Sequence, residues 1–527
     1  MANDNFENKN HSELLAVIGK MHDELKNAHE KLKNLENRYD SLQLDNQFLK
    51  EEVRILRHRL FGARSEKWCP PVGSSVLFND VEKEAAEPPK EEPSTPVEGH
   101  SRKKPCRKPL PEEMPRVEIV HDLPEAEKTC PADGTELKLI GEDVSEQLDI
   151  IPATIQVLRH RRLKYACPCC SQHVATAPLP PQPLPKSMAS AGLLANITVA
   201  KYQNALPLYR QETIFQEIGV DLPRQTMARW MVECSELVSP LVERMKETLL
   251  GSSVLHCDET VVQVLKEKGR APQTNSYMWV LASGADIPPC YYFEYHPSRS
   301  KEAANALLNG FQGYLHVDGY LGYNALCSTG AVTRVGCFAH ARRKFDETLK
   351  AGSSNGTGIA SKALEKISEL YEIERAIKES PPDERNRIRQ ERSKPLLSCL
   401  HEWATSVLPS VPPKSKLGMA LRYLLDEWPN LIRYVDHPGL SIDNNRAENA
   451  IRPFVTGRKN WLFSATPAGA TASSRLYSLV TSAQANGHIP YLYLRDVYQE
   501  MAKLREKGSK EDLDRLLPWN WKVTSED

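Results

Sequence analysis

Residues 14–60 repeat apolar side chains in an unbroken 3-4 alternation, and nothing else in the chain narrows its possible folds as much. Ile18, Leu25, Leu32, Tyr39, Asn46, Val53 and Leu60 fall on one seam position. Leu14, Met21, Ala28, Leu35, Leu42, Leu49 and Leu56 fall on the other. A period of 3.5 with charged flanks is that of a coiled coil, here spanning residues 12–62, and a helix of that length reaches about 70 Å. Leu at the d positions with a single polar Asn46 at an a position favours a parallel homodimer whose register that Asn fixes. A helix packed against its own chain is the alternative, and the strict period argues against it.

Past the heptads the composition changes. Residues 69–115 hold ten prolines, an acidic stretch EKEAAEPPKEEP and a basic cluster, 101–109. Such a segment cannot bury enough apolar surface to fold, so it reads as a disordered linker. The formal net charge of the whole chain is −1, which excludes a uniformly basic nucleic-acid coat. No apolar run reaches the 18 or more residues of a membrane span. Twelve cysteines, scattered through 527 residues behind a charged N-terminus, read as reduced thiols of a cytoplasmic, nucleoid-associated protein.

Three acids stand in informative settings: Asp258 in LHCDET, Asp318 in LHVDGY and Glu448 in IDNNRAENAIRP. The first two follow short apolar runs and are expected at strand ends. Glu448 is expected in a helix that Asp443 caps and Pro453 ends. Three carboxylates from separate elements make an oxygen-only site for Mg²⁺ or Mn²⁺. Such a site can hold two ions about 4 Å apart and align the attacking and leaving oxygens of a phosphodiester.

The surrounding order supports that reading. SSVLHCDETVVQV, NSYMWVLASG and PCYYFEYHP read as three strands, SKEAANALLNGF as a helix, GYLHVDGY and AVTRVGCFAH as two more strands, and ARRKF as the start of another helix. That is the ribonuclease H-like order, with acids on the first and fourth strands. HCDET, HVDGY, CFAHARRKF, NNRAENAIRP and GRKNWLF then make the chain resemble the DDE transposases of the insertion sequence 66 family. RHRLFGARSEK, SEQLDIIPA, LPLYRQE and LLPWNW extend the likeness over most of the chain. The resemblance implies a multidomain protein, mainly α with an α/β core. It implies Asp258, Asp318 and Glu448 as the catalytic triad holding two Mg²⁺ or Mn²⁺ ions, in an enzyme that cuts DNA at element ends and joins the 3′-OH to target DNA. Terminal inverted repeats, target DNA and small accessory proteins of the same element would be its partners.

Residues 117–178 resemble the family's zinc-binding region. Cys167 and Cys170 have the spacing of half a tetrahedral zinc site. In the other half Cys130 is followed three residues later by Asp133, where a Cys is expected. Asp can ligate zinc, and Cys169, Cys106, His121 or His173 can substitute; a small β-rich domain without metal is the alternative.

LYRQETIFQEIG and VDLPRQTMARWMVECSEL, within 186–250, have the layout of a helix-turn-helix, with Gly219 in the turn and Pro223 in the first turn of the second helix. Arg224, Gln225 and Arg229 would then face a major groove; a plain helical hairpin is the alternative. Two further basic clusters, Arg342, Arg343 and Lys344, then Arg446, Arg452, Arg458 and Lys459, flank the acids where phosphates must approach. The catalytic domain is expected over 251–463, with a helical insertion at about 346–437, and 464–527 as a helical C-terminal extension. Cys337-x-x-His340 is expected to be structural or DNA-facing and not a zinc ligand, and His256 and Glu259 to support Asp258. Two rivals compete with a transposase: a catalytically inactive DNA-binding regulator, and a ribonuclease H-like nuclease that cuts without joining.

Overall fold

The computed structural model describes parts of residues 18–42 and residues 155–166, 174–327, 330–351, 358–505 and 508–523. The linker, the 101–109 cluster, Asn46 and the four expected zinc ligands Cys130, Asp133, Cys167 and Cys170 lie outside these. The chain divides into two units, residues 65–178 and residues 1–64 with 179–527. In the smaller unit, β1 (Lys164–Ala166) and β2 (Val174–Thr176) form an antiparallel hairpin.

In the larger unit, residues 18–22 and 25–35 are helical. The seam residues Ile18, Met21, Leu25, Leu32 and Leu35 are 57–71 % exposed, an apolar stripe that the described residues leave uncovered. Four helices then follow, Ala191–Tyr202, Leu208–Glu217, Arg224–Leu237 and Ser239–Leu250. Gly219 turns the second into the third at φ +82°, a conformation that favours glycine. Pro223 is the N-cap residue of the third helix and not in its first turn, because its ψ of 140° is extended.

The centre is a five-stranded mixed sheet in the order β5-β4-β3-β6-β7. β3 (Val254–Gln263), β4 (Asn275–Ser283) and β5 (Tyr291–His296) form an antiparallel meander, while β6 (Gly313–His316) and β7 (Val332–Val335) run parallel to β3. The strands fall within the segments read as strands because each buries apolar side chains against the core. Gly313, at φ +141°, opens β6 where any Cβ would collide with the Ser253 carbonyl. β7 stops at Val335 since Gly336 instead donates its N–H to the Asn430 carbonyl, 2.9 Å away. Cys337 therefore sits in the turn beyond the strand, not on it.

Among the described residues of this unit there are two apolar cores. One joins the four helices, most of the sheet, the Asn445–Trp461 helix and the C-terminal helices. The other is built by the helical insertion, chiefly Phe338–Ala351, Ile359–Ala376, Lys394–Val407 and Lys416–Asp426, against Val254 and Val335.

The C-terminal residues are more than an extension. The helix Pro467–Ala485 lies along β5, the outer strand of the meander. The hydroxyl oxygens of Ser482 and Ser478 accept the backbone N–H groups of Tyr291 and Phe293 at 2.9 and 2.8 Å. An uncovered edge strand presents unpaired donors that invite other chains; here a serine every fourth residue takes them.

Candidate active site

Asp258 lies midway along β3, not at its end, because the β3–β4 hairpin continues to the Gln263–Asn275 pair. The parallel pairing of β3 with β6 is shorter and ends at His256 opposite His316. Asp258 and Asp318 thus stand level, each two residues past that last pair, where the strands part. Side chains two apart share a face, so both acids follow the two histidines, whose buried rings stack at 4.7 Å.

Asn444 brings the third acid to this face. Its Oδ1 meets His256 Nδ1 at 2.9 Å, its Nδ2 donates to the Cys257 carbonyl at 2.8 Å, and its backbone N–H reaches Cys337 Sγ at 3.2 Å. It is the N-cap residue of the helix Asn445–Trp461, whose first turn carries Glu448. Asp443, expected at that cap, is one residue earlier and accepts the N–H of Asn445 at 3.1 Å. Pro453 does not end the helix, which continues eight residues beyond it; the proline removes one N–H from a half-exposed helix without stopping it.

The carboxylates feel one another. Burial, then the charges of Glu259, Glu448 and Asp318, push the Asp258 carboxyl up to about 7. Its Oδ1 accepts the N–H of Glu259 at 2.9 Å. Glu259 accepts the Tyr323 hydroxyl at 2.7 Å and pairs with Arg299. Arg299 also approaches Asp318 at 3.5 Å and lies over the Tyr320 ring at 3.9 Å. Glu448 pairs through Oε2 with Arg343 at 3.2 Å, not with Arg452 four residues on. Its Oε1 is buried with no hydrogen-bond partner. A half-buried carboxylate with one buried, orphaned oxygen, whose charge acts on a second acid that burial holds up, fits a bound divalent cation. Among the described residues the tightest cluster of ligand atoms is nevertheless Cys337, His340 and Glu448, within 4.8 Å of one another.

The basic residues divide. Arg342, Lys344, Arg452 and Lys459 are exposed, and Lys344 lies over the Tyr423 ring at 4.6 Å. Arg458 is half-buried and donates to Thr260 Oγ1 at 3.2 Å. Arg446 is committed to the Ser283 and Gly284 carbonyls, and so ties the helix to the end of β4. Arg224, Gln225 and Arg229 all lie exposed on one helix; Arg224 and Arg229 have the carboxylates Glu212 and Glu233 at 3.9 and 3.7 Å.

The sequence singles out Asp258, Asp318 and Glu448, but neither Asn444 nor Arg299, which contact the same region. The paired asparagines of IDNNRAEN are the one local sign of the former. No described helix is long and apolar enough to cross a membrane.

Comparison with known proteins gives a consistent pattern. The family model "Transposase IS66 family" matches residues 186–472. "Zinc-finger binding domain of transposase IS66" matches 127–171, "Transposase C of IS166 homeodomain" 48–119, and "IS66 C-terminal element" 478–519. Among curated proteins, uncharacterized proteins y4jD and y4qI of Sinorhizobium fredii (strain NBRC 101917 / NGR234) are each 31 % identical. The first alignment covers 90 % of this chain and 94 % of the relative, the second 89 % and 88 %. Uncharacterized protein y4hP of the same strain is 29 % identical, covering 90 % and 89 %. No solved structure matches.

Proposed function

Because this chain belongs to the IS66 family of transposases, we propose that it cuts DNA at the ends of its insertion sequence and transfers the freed 3′-OH into target DNA. The observation that carries this reading is the levelling of Asp258 with Asp318 where β3 and β6 part, opposite the helix turn that bears Glu448. The sheet order β5-β4-β3-β6-β7, with three antiparallel strands and two parallel ones, supports a ribonuclease H-like catalytic domain.

Asp258, Asp318 and Glu448 would hold the metal. Two divalent ions, Mg²⁺ or Mn²⁺, supply when bound the activation of water or a 3′-OH and the stabilisation of the leaving oxygen. The chain's own groups do the rest. Asn444 sets the distance between the strand acids and the helix acid. Arg343 holds one oxygen of Glu448 so that the other faces inward, and Arg299 steadies Asp318 and Glu259. The exposed Arg342, Lys344, Arg452 and Lys459 suit phosphate contact, and Arg224, Gln225 and Arg229 suit base edges. Purified chain, labelled DNA bearing the terminal repeats and a target plasmid should yield both nicked ends and joined products. Cutting without joining would identify a nuclease, and binding without cutting a regulator; either result would end the transposase reading.

Zinc and dimerisation complete the proposal. The zinc-finger match covers Cys130, Asp133, Cys167 and Cys170, with Asp133 as the odd ligand. Full-length protein purified without chelator should hold one zinc, and Cys170→Ser should lose it; a wild-type chain free of zinc would mark a metal-free fold. The exposed seam of the N-terminal helix suits a second copy of the chain. Sedimentation should find a dimer for the full chain and a smaller species once residues 12–62 are removed; an unchanged mass would refute the zipper.

A further inference from the structure

The sequence leads to an oxygen-only metal site, but the structure sets a nitrogen inside it. His340 lies in the first turn of the Phe338–Ala351 helix, directly after β7, and faces Glu448 across the cleft. His340 Nδ1 and Glu448 Oε1 are 3.6 Å apart. Both atoms are buried, and neither has a hydrogen-bond partner. Orphaned buried polar atoms are rare because each forfeits its hydration, so two that face each other ask for something between them.

The separation says what. At 3.6 Å the pair is too far apart for a hydrogen bond. Two ligand atoms, each about 2.2 Å from one ion, stand about 3.1 Å apart at the 90° of an octahedral site and about 3.6 Å apart at a tetrahedral angle, so one shared ion spans this separation with little adjustment. The competing groups are engaged elsewhere. Arg343 takes Glu448 Oε2 and leaves Oε1 free. Cys337 Sγ, the third atom of the cluster, accepts the Asn444 N–H at 3.2 Å.

We propose that His340 Nδ1 is a ligand of the metal ion held by Glu448, so that the site is a mixed oxygen–nitrogen one. This rests on the reading of Glu448 as a metal-binding acid and deepens it. An imidazole ligand shifts preference from Mg²⁺, which keeps to hard oxygen donors, towards transition ions. The ion at Glu448 is therefore one such as Mn²⁺, in a position where Mg²⁺ binds less well.

Metal-stripped full-length chain titrated with Mn²⁺ and followed by electron paramagnetic resonance tests this without any turnover. The pulsed spectrum of bound Mn²⁺ should show modulation from a directly coordinated ¹⁴N. His340→Ala should abolish that modulation and weaken Mn²⁺ binding about tenfold or more. The wild-type spectrum needs no variant, so a poorly folding His340→Ala would not hide the answer. Bound Mn²⁺ without ¹⁴N coupling in the wild type, or coupling and affinity unchanged in His340→Ala, overturns the proposal. Asp258→Asn separates this from the parent reading. If it releases Mn²⁺ while the wild type lacks ¹⁴N coupling, the carboxylate site stands and only the histidine ligand fails. A wild type that holds no Mn²⁺ at all refutes both.

Discussion

Asp258→Asn, Asp318→Asn and Glu448→Gln should each abolish strand cleavage and strand transfer together, by several orders of magnitude, while binding to the terminal repeats persists. Each substitution keeps the side-chain volume and removes one negative charge from a site that must offset divalent cations. Asp443→Asn is the control, since Asp443 accepts the Asn445 N–H and an asparagine oxygen can do the same. An active Glu448→Gln beside a dead Asp443→Asn would show that the third acid was wrongly chosen. Asp258→Asn should also stabilise the metal-free protein. The carboxyl of Asp258 is held up at about 7, against an ordinary 3.8. Below about pH 4 it is protonated whether the chain is folded or not, and it costs nothing. As pH rises from there to 7 the unfolded chain loses the proton first, so the folded state loses stability through that window and does not regain it above. At one pKa unit per about 1.4 kcal/mol, the asparagine should recover on the order of 2–4 kcal/mol at pH 8. Thermal melts at pH 4 and pH 8 without divalent ions read this directly, and a variant less stable than wild type at pH 8 contradicts it.

Arg389→Ala should destabilise the helical insertion by about 3–5 kcal/mol, the usual result of breaking a buried ion pair by removing one partner. Arg389 is 1 % exposed. Its guanidinium grips both oxygens of Glu374 at 2.9 and 2.6 Å and donates to the carbonyls of Tyr434, His437 and Leu440. Removing it strands one carboxylate and three carbonyls in the second apolar core. Hydrogen exchange should show the loss concentrated in residues 359–440, with the Pro467–Ala485 helix little changed. Uniform loosening of the whole chain would mean that the two cores do not melt separately.

How much of this could be read from the sequence depends on how far each residue reaches. The five strands and their order were legible because a strand states itself locally, in alternating or continuous apolar runs bounded by turns. Asp258 and Asp318 stood out because each follows such a run, and Glu448 because IDNNRAENAIRP reads as a capped helix. The position of Asp258 inside its strand was not legible, since it depends on where β6 stops pairing and not on anything near Asp258. Arg389 sits in RIRQERSK, a charged run within the expected helical insertion that does not single it out. Its burial follows from Glu374 and from carbonyls some fifty residues onward. The continuing helix after Pro453 misled for a similar reason: proline forfeits one local hydrogen bond, and packing of Ala450, Ile451 and Phe454 into the main core outweighs it. His340 and Glu448 are more than a hundred residues apart, and nothing in CFAHARRKF announces the meeting.

The three bonds of Asn444 have a consequence for how such genes age. Copies of a mobile element accumulate point mutations once selection on them relaxes, and a reader of genomes sorts living copies from dead by looking for three intact acids. On the proposed reading, the acids of this chain are only as useful as the amide that spaces them. A copy that has exchanged Asn444 for a smaller or apolar residue keeps Asp258, Asp318 and Glu448 in its sequence and loses the geometry that makes them a site. If Asp258, Asp318 and Glu448 are the catalytic triad proposed above, counts of functional copies made from the acids alone will run high, and the asparagine is the fourth letter to check.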